Sequence, residues 1–392
     1  MNADTIERLQ EILDRGVERG EIAGGNLCVE EHGREVCYIQ SGFMNLEARI
    51  PMRRDAIFRL YSMSKPVTAT AARALMERGM LDLAEPVSAY LPSFRGQKVL
   101  GADGRLTPPR REATVKDLLD MTAGLMYPGA AGPAGAETDA IFDELDRRLP
   151  TDHAMTTREL ADRLGRAPLC FSPGDNWLYG TGADVLGAVL EEASGMPFSE
   201  LLTKLLFEPL GMEDTGFYVP ESRRARLAVA YEAAQDGLKP YLGNYLGINN
   251  AMDRPPAFES GGAGLVSTVD DSMKFARMLL QDGRCGDRQV LRPATVRFLT
   301  RGQLLDHQRG AMAEQHVTLS GYSYGNLMRV RESNSRAWYP GSVGEYGWDG
   351  WLGCYLSNDP EQQRSIIFMT QLRDAGTLPL TRKLRNVIYA QS

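Results

Sequence analysis

The chain has 392 residues, 43% of them hydrophobic and 24% charged, the balance of a globular protein with room for two domains. Its net charge of −7 argues against a nucleic-acid partner. Only four histidines and seven lysines are present, no lysine follows a glycine, and the five cysteines are scattered, which excludes a P-loop, a zinc site and a disulfide framework.

The chain begins with an amphipathic, acid-containing segment, MNADTIERLQEILDRG, which predicts a helix rather than a signal peptide. We expect Gly24-Gly25 to end this helix. No apolar stretch approaches the roughly 20 residues that span a bilayer. We therefore expect a cytoplasmic protein with reduced thiols, no membrane partner, and no metal or other cofactor.

Apolar spacing predicts strands near both ends of the chain and helices between them. Two strands are expected at 26–31 and 35–40. Helices are predicted at 65–78, 115–119, 157–164, 183–192, 272–280 and 379–390, and later strands at 322–330, 353–357 and 365–370. This order indicates an α/β (α+β) architecture, with a sheet domain built from 1–83 and 317–392 and a mostly helical domain, 84–316, inserted between them.

The segment Gly321-Tyr322-Ser323-Tyr324-Gly325 matches the Gly-x-Ser-x-Gly motif of a nucleophile elbow. That motif needs a strand-to-helix turn and a histidine further along the chain, and no histidine follows His316. Alternation of large and small residues favours a strand here. Ser323 is therefore predicted to be structural.

Ser62-Met63-Ser64-Lys65 is a Ser-x-x-Lys motif at the junction of a short apolar run and a predicted helix. Backbone N–H groups at a helix start favour a developing anion, and Lys65, three residues on, shares the face of Ser62. We expect burial and neighbouring positive charge to lower the pKa of Lys65 to about 7–8, so that it acts as a base. The alternative is an ordinary helix start with a solvated lysine. Ser64 is expected to point off the face of Lys65.

Two glycine-rich segments further along the chain are also candidates. Tyr179 lies in a turn at 172–182 directly before a predicted helix, and such a loop can project a phenol into a cleft or pack it on the helix. The segment 347–353 carries Trp348 and Trp351 just ahead of a predicted strand. It is either an aromatic ligand wall with an accessible backbone N–H or a hairpin turn with two packed indoles.

In this order, Ser62-x-x-Lys65, Tyr179 and Trp348-Asp349-Gly350 resemble the three signatures of the penicillin-recognising serine hydrolases. The stretches FRLYSMSKPVTA, FEPLGMEDTGF and SGGAGLVSTVDD resemble the class C β-lactamase branch, and within it the family VIII carboxylesterases. The resemblance covers nearly the whole chain. It implies a class C β-lactamase-like antiparallel sheet flanked by helices, with the active site in the cleft between the sheet domain and the inserted domain.

The resemblance also implies a Ser-Lys-Tyr mechanism. Ser62 would attack an acyl carbonyl, and Lys65 and Tyr179 would carry its proton to the leaving alcohol. The backbone N–H groups of Ser62 and Trp351 would form the oxyanion hole. The implied substrate-binding residues are Tyr127, Trp348, Asp349 and Gly350.

Two departures from the β-lactamase signatures bear on the substrate. Thr181 replaces the asparagine of Tyr-x-Asn, and Trp348-Asp349-Gly350 replaces Lys-Thr-Gly. Without that lysine a substrate carboxylate loses a hydrogen bond worth about 1.5–3 kcal/mol, whereas a neutral ester loses nothing. We therefore expect a serine carboxylesterase, monomeric or homodimeric, acting on small neutral esters with short acyl groups.

Two alternatives stay open. On the same scaffold, the chain would be a class C-type β-lactamase, a D-amino-acid peptidase or an acyltransferase, and weak β-lactam binding would also fit an esterase. In a different class, it would be a binding or sensor protein without turnover, although an intact Ser62, Lys65 and Tyr179 argue against that reading.

Overall fold

The computed structural model describes residues 1–130, 132 and 134–390. Its helices follow local signals: Asn2 caps the first by accepting a hydrogen bond from Thr5 N–H, and Thr114 and Asp117 form a capping box on the fourth. The helices are α1 (Ala3–Glu18), α2 (Lys65–Glu77), α3 (Val87–Tyr90), α4 (Val115–Asp120), α5 (Gly135–Arg148), α6 (Thr157–Arg166), α7 (Gly182–Ser194), α8 (Phe198–Leu202), α9 (Glu208–Leu210), α10 (Val269–Leu280), α11 (Pro293–Leu299), α12 (Asp306–Gln315) and α13 (Pro379–Tyr389).

Most strands lie near the two ends of the chain. They are β1 (Gly24–Glu31), β2 (Arg34–Asn45), β3 (Ile50–Pro51), β4 (Phe58–Arg59), β5 (Val99–Leu100), β6 (Leu106–Thr107), β7 (Tyr231–Ala234), β8 (Gly237–Pro240), β9 (Val266–Ser267), β10 (Arg284–Cys285), β11 (Arg288–Gln289), β12 (Tyr322–Gly325), β13 (Met328–Arg331), β14 (Tyr346–Asp349), β15 (Tyr355–Asp359) and β16 (Arg364–Met369).

The main sheet joins the two ends of the chain. Its eight strands run in the order β12-β13-β14-β15-β16-β1-β2-β3, with antiparallel pairing throughout. The joint is the pair β1 and β16, where Asn26 stands opposite Met369 and Glu31 opposite Arg364. This confirms the expected antiparallel sheet flanked by helices, whereas the domain boundaries at 84 and 316 stay a prediction.

Both faces of the sheet are covered because its strands are apolar on both sides. On one face, Leu27 and Val29 pack in a cluster with residues of α1 and α13. On the opposite face, Cys28 belongs to the larger core that includes α2, α7 and α10. Successive side chains of a strand point to opposite faces, so β1 contributes to both clusters.

Three predictions about individual elements are wrong. The first helix ends at Glu18, and Gly24 and Gly25 begin β1, where a Cβ on Gly24 would lie 2.6 Å from the backbone N of Phe43. The segment 322–330 is a hairpin, not one strand: Asn326 and Leu327, with φ of 54° and 60°, form its turn. Trp348 lies within β14, not in a turn ahead of a strand. Pairing with neighbouring strands decides these points, and local spacing does not encode it.

Ser323 is structural, as predicted. It lies inside β12 opposite Val330, its side chain is buried, and its hydroxyl accepts a hydrogen bond from Leu304 N–H. A serine in that position has no access to a substrate, so the Gly-x-Ser-x-Gly match is accidental.

Candidate active site

Ser62 lies on a tight turn between β4 and α2. The turn is a single 3-10 segment, Tyr61–Ser64, which runs directly into α2. Tyr61 has a φ of 45°, a left-handed conformation that is unfavourable for an aromatic residue and that packing must maintain. Because Ser62 is the second residue of the turn, its N–H has no acceptor within the turn. Its partly exposed side chain lines a cleft.

Lys65 is fully buried one helical turn below Ser62. Its Nζ donates to Ser62 Oγ at 3.1 Å, to Tyr127 Oη at 3.0 Å and to the carbonyl of Gly262 at 2.9 Å. Burial lowers the pKa of Lys65 to about 7, although the nearby carboxylates of Asp184 and Asp349 oppose the shift. The lowered pKa was expected, but neighbouring positive charge as a cause is wrong: the nearby charges are negative, and desolvation outweighs them.

Ser64 and Tyr127 differ in their relation to Lys65. Ser64 points away from Lys65, as expected, and its Oγ accepts a hydrogen bond from Leu265 N–H. Tyr127 contacts the ammonium directly, and its ring centroid lies 5.6 Å from that of Tyr179. Tyr127 therefore helps to hold the lysine, whereas the resemblance implies a substrate-binding residue.

Tyr179 projects its phenol into the same cleft as Ser62, just ahead of α7. Its ring centroid lies 4.8 Å from Lys65 Nζ, and its Oη accepts a hydrogen bond from the indole N–H of Trp348 at 2.9 Å. Burial raises the pKa of Tyr179, while hydrogen bonds to Ser62 and Trp348 partly oppose that rise. The phenol therefore stays protonated at neutral pH and is held in place by Trp348.

Gly350 allows the third signature to approach the serine turn. A Cβ on Gly350 would lie 2.1 Å from the carbonyl oxygen of Leu60, so a larger residue would push the two segments apart. The next residue, Trp351, lies in a turn that Gly353 N–H closes onto Gly350 O at 2.8 Å. Trp351 and Ser62 line the same cleft. Ser62 and Trp351, which come from separate segments, therefore lie on the same cleft.

The cleft has a volume of about 380 Å³. Ser62, Tyr179, Trp348, Asp349, Gly350 and Trp351 line it together with His316, Thr318, Leu319, Tyr339, Asp374, Ala375, Gly376 and Thr377. The sequence predicts the first six. The segments around 316–319 and 374–377 were missed, because they carry no motif and reach the site only through the fold.

His316 and Arg329 are two further residues at the site that the sequence analysis did not identify. The His316 ring stands edge-on to Trp177 and Tyr179, at centroid distances of 6.0 and 6.3 Å, and burial lowers its pKa. Arg329 lies behind the third signature, with Nη1 3.3 Å from Asp349 Oδ1. The scarcity of histidines could have drawn attention to His316, whereas no sequence signal distinguishes Arg329 from the many other arginines.

Neither a metal centre nor a membrane span is found among residues 1–130, 132 and 134–390. Within that part of the chain, no group of three or more His, Cys, Asp or Glu residues is placed to hold a metal ion. Nor does any helix there have the length and apolar character needed to cross a membrane. All five cysteines are free thiols.

The fold and the Ser-Lys-Tyr cluster beside a cleft place the chain in the β-lactamase-like class of serine hydrolases. The model of the Beta-lactamase family matches residues 9–388, so the chain belongs to this family. The expected enzyme class and superfamily are therefore confirmed.

Relatives in this family include esterases and acyltransferases. Esterase EstB of Burkholderia gladioli is 32% identical over 99% of this chain and 96% of its own length. Acyltransferase mokF of Monascus pilosus is 28% identical over 82% of this chain and 77% of its own length. The structure of EstCE1, described as a hydrolase with promiscuous acyltransferase activity, has a TM-score of 0.81 at 27% identity and covers 98% of both chains.

Proposed function

We propose that this protein is a serine carboxylesterase that hydrolyses small, neutral, short-chain acyl esters through a Ser-Lys-Tyr acyl-enzyme mechanism. The observation that carries the proposal is the buried Lys65 amine, 3.1 Å from Ser62 Oγ, with a pKa lowered to about 7. A hydroxyl on a cleft wall is an activated nucleophile when an amine that is partly neutral at pH 7 lies beside it. Similarity to EstB and EstCE1 supports the ester as the substrate class.

Acylation starts with the neutral form of Lys65. Two of its amine hydrogens bond to Tyr127 Oη and the carbonyl of Gly262, which leaves the lone pair for the proton of Ser62. Ser62 Oγ then attacks the ester carbonyl carbon as Lys65 takes that proton. The carbonyl oxygen becomes an oxyanion, and the N–H groups of Ser62 and Trp351 bind it.

Collapse of the tetrahedral intermediate breaks the bond to the alcohol oxygen. Tyr179 donates its phenolic proton to that oxygen and regains one from Lys65, so the alcohol leaves neutral and the acyl group stays on Ser62. The indole N–H of Trp348 steadies Tyr179 during this exchange. A water molecule then attacks the acyl-enzyme by the same proton path in reverse, which releases the acid and restores Ser62.

The form of the cleft supports small neutral substrates. Its volume of about 380 Å³ lies at the lower end of ligand pockets in proteins. Trp348 is largely buried and uses its polar atom on Tyr179, so it offers a substrate carboxylate no donor. Asp349 adds a negative charge to the lining. The neighbourhood of the third signature therefore disfavours anionic groups.

Substitution of the nucleophile tests the proposal. We expect Ser62→Ala to abolish hydrolysis of p-nitrophenyl acetate and butyrate while the unfolding transition stays cooperative. A fluorophosphonate should label the wild-type protein at Ser62 and leave the buried Ser64 and Ser323 unmodified in peptide mass spectra. Full activity of the Ser62→Ala variant, or an adduct on another serine, would refute the assignment. Absence of any adduct would favour a binding protein without turnover.

Acyl transfer is a second candidate function. The same acyl-enzyme reacts with an alcohol in place of water, and the similarity to mokF and EstCE1 supports that outcome. Addition of a simple alcohol should then raise the rate of p-nitrophenol release and produce the new ester, detected by chromatography. β-Lactamase and D-amino-acid peptidase activities are compared in the same series with nitrocefin and a D-alanyl anilide. A tenfold preference for nitrocefin would overturn the ester assignment.

A further inference from the structure

A buried cation lies directly behind the third signature. Arg329, on β13, is almost completely buried. Its Nη2 donates to the carbonyl of Leu356 at 3.1 Å, and its carbon Cζ lies 4.7 Å from the ring centroid of Tyr355. Asp349 forms an ion pair with Arg329 at 3.3 Å, and the charge of Arg329 also helps to lower the pKa of the buried Glu345, which Arg385 neutralises. Removal of one partner from a buried ion pair leaves an uncompensated charge, so this cation needs an anion beside it.

Asp349 stands between that cation and the cleft. Its carboxylate lines the cavity that holds Ser62, with 21% of the side chain exposed. One oxygen faces Arg329, and the other lies toward Gly376, where an added Cβ would be 3.2 Å from it. Burial raises the pKa of Asp349, while the charge of Arg329 and a hydrogen bond from the Thr377 hydroxyl oppose that rise and favour the carboxylate. The carboxylate thus separates a permanent positive charge from the space in which substrate binds.

We propose that Asp349 is a specificity-determining residue: an internal counterion that occupies the place beside Arg329 that a substrate carboxylate would otherwise take. An anionic substrate meets a cation already neutralised, together with the repulsion of the carboxylate that neutralises it. A neutral ester makes no demand on Arg329 and is unaffected. The inference rests on the proposed esterase function. It adds Asp349 to the replacement of the signature lysine by Trp348 as a second cause of discrimination against anionic substrates.

Asp349→Asn tests this by removing the charge while nearly keeping the shape. The measured quantity is the ratio of kcat/KM for p-nitrophenyl hemisuccinate, which carries a carboxylate, to that for p-nitrophenyl butyrate. We expect the ratio to rise by about 10- to 100-fold, the usual range for a charge-assisted hydrogen bond. The double variant Arg329→Met/Asp349→Asn should return the ratio close to the wild-type value. The matched control, Asp374→Asn, removes an equal charge from the same cleft and should leave the ratio within about threefold.

A binding measurement separates this inference from the proposed reaction. Sodium butyrate should raise the melting temperature of Asp349→Asn by several degrees, and butyramide should not; wild type and the double variant should respond to neither. If wild type hydrolyses no ester but this pattern appears, the proposed function fails and the counterion stands. If esters are hydrolysed but Asp349→Asn shows neither the higher kcat/KM ratio nor the stabilisation by butyrate, the counterion role is refuted. If Asp349→Asn is too unstable to study, its stability is compared with that of the double variant Arg329→Met/Asp349→Asn. A more stable double variant supports an uncompensated charge on Arg329 as the cause, and an equally unstable one refutes the counterion role.

Discussion

Replacement of Lys65 by methionine should stabilise the folded protein at neutral pH while it abolishes ester hydrolysis. Methionine keeps the length and apolar stem of the side chain but carries no charge. The ordinary pKa of a lysine is 10.5, and burial lowers that of Lys65 to about 7. The fold therefore bears the free-energy cost of an amine held out of water, and the variant does not.

The size of this cost follows from the two pKa values. A change from 10.5 to about 7 corresponds to about 5 kcal/mol of linkage between protonation and folding. The variant also loses the hydrogen bond to the buried carbonyl of Gly262, which costs about 1–3 kcal/mol. We expect Lys65→Met to raise the free energy of unfolding by about 2–4 kcal/mol near pH 6.5.

The sign of the pH dependence is a stronger criterion than the size. Between about pH 7 and 10.5 the unfolded chain binds a proton that the folded protein does not, so wild-type stability rises with pH in that window. Below about pH 7 both states bind the proton, and the full cost remains. The advantage of the variant should therefore be largest at low pH and shrink by about 3 kcal/mol between pH 7 and 9.5.

Urea unfolding of wild type and variant at several pH values between about 6.5 and 9.5 measures this difference directly. Contributions from titrating groups that do not interact with Lys65 cancel in the subtraction; Asp184, whose pKa Lys65 lowers, is the group whose contribution changes. The control, Lys98→Met, changes an exposed lysine and should give a difference that does not vary with pH. A pH-independent difference for Lys65→Met would show that Lys65 titrates normally, and its role as the base would then lack its physical reason.

Three further results are expected. The value of kcat/KM should rise with pH to a plateau, with a midpoint of about 7 that reflects deprotonation of Lys65, and a flat profile from about pH 5.5 to 9 would contradict this. Trp348→Phe should lower kcat about 3- to 10-fold with little change in KM, because it removes the indole donor to Tyr179; an unchanged kcat would show that this hydrogen bond is dispensable. Gly350→Ala should reduce activity at least about 100-fold, since its Cβ would lie 2.1 Å from Leu60 O and displace the oxyanion side of the cleft, and near-normal activity would disprove that placement.

The fold was accessible from the sequence where signals are local. Apolar periodicity identified α2, α6, α7, α10 and α13 because a helix closes its hydrogen bonds within a few residues. Sheet pairing was not accessible in the same way. The turn at Asn326 and Leu327 and the placement of Trp348 within β14 depend on neighbouring strands, so the hairpin at 322–331 was mistaken for one strand.

For the candidate site, the sequence by itself determined the Ser62–Lys65 pair, since a spacing of three residues on a helical turn sets their contact. Tertiary structure decided what that pair can do. The carbonyl that accepts from Lys65 lies 197 residues away, at Gly262, and the indole that holds Tyr179 lies 169 residues away, at Trp348. Complete burial decides the protonation of the lysine against two nearby carboxylates. Desolvation and distant contacts depend on how the whole chain packs, and no local pattern of residues encodes them.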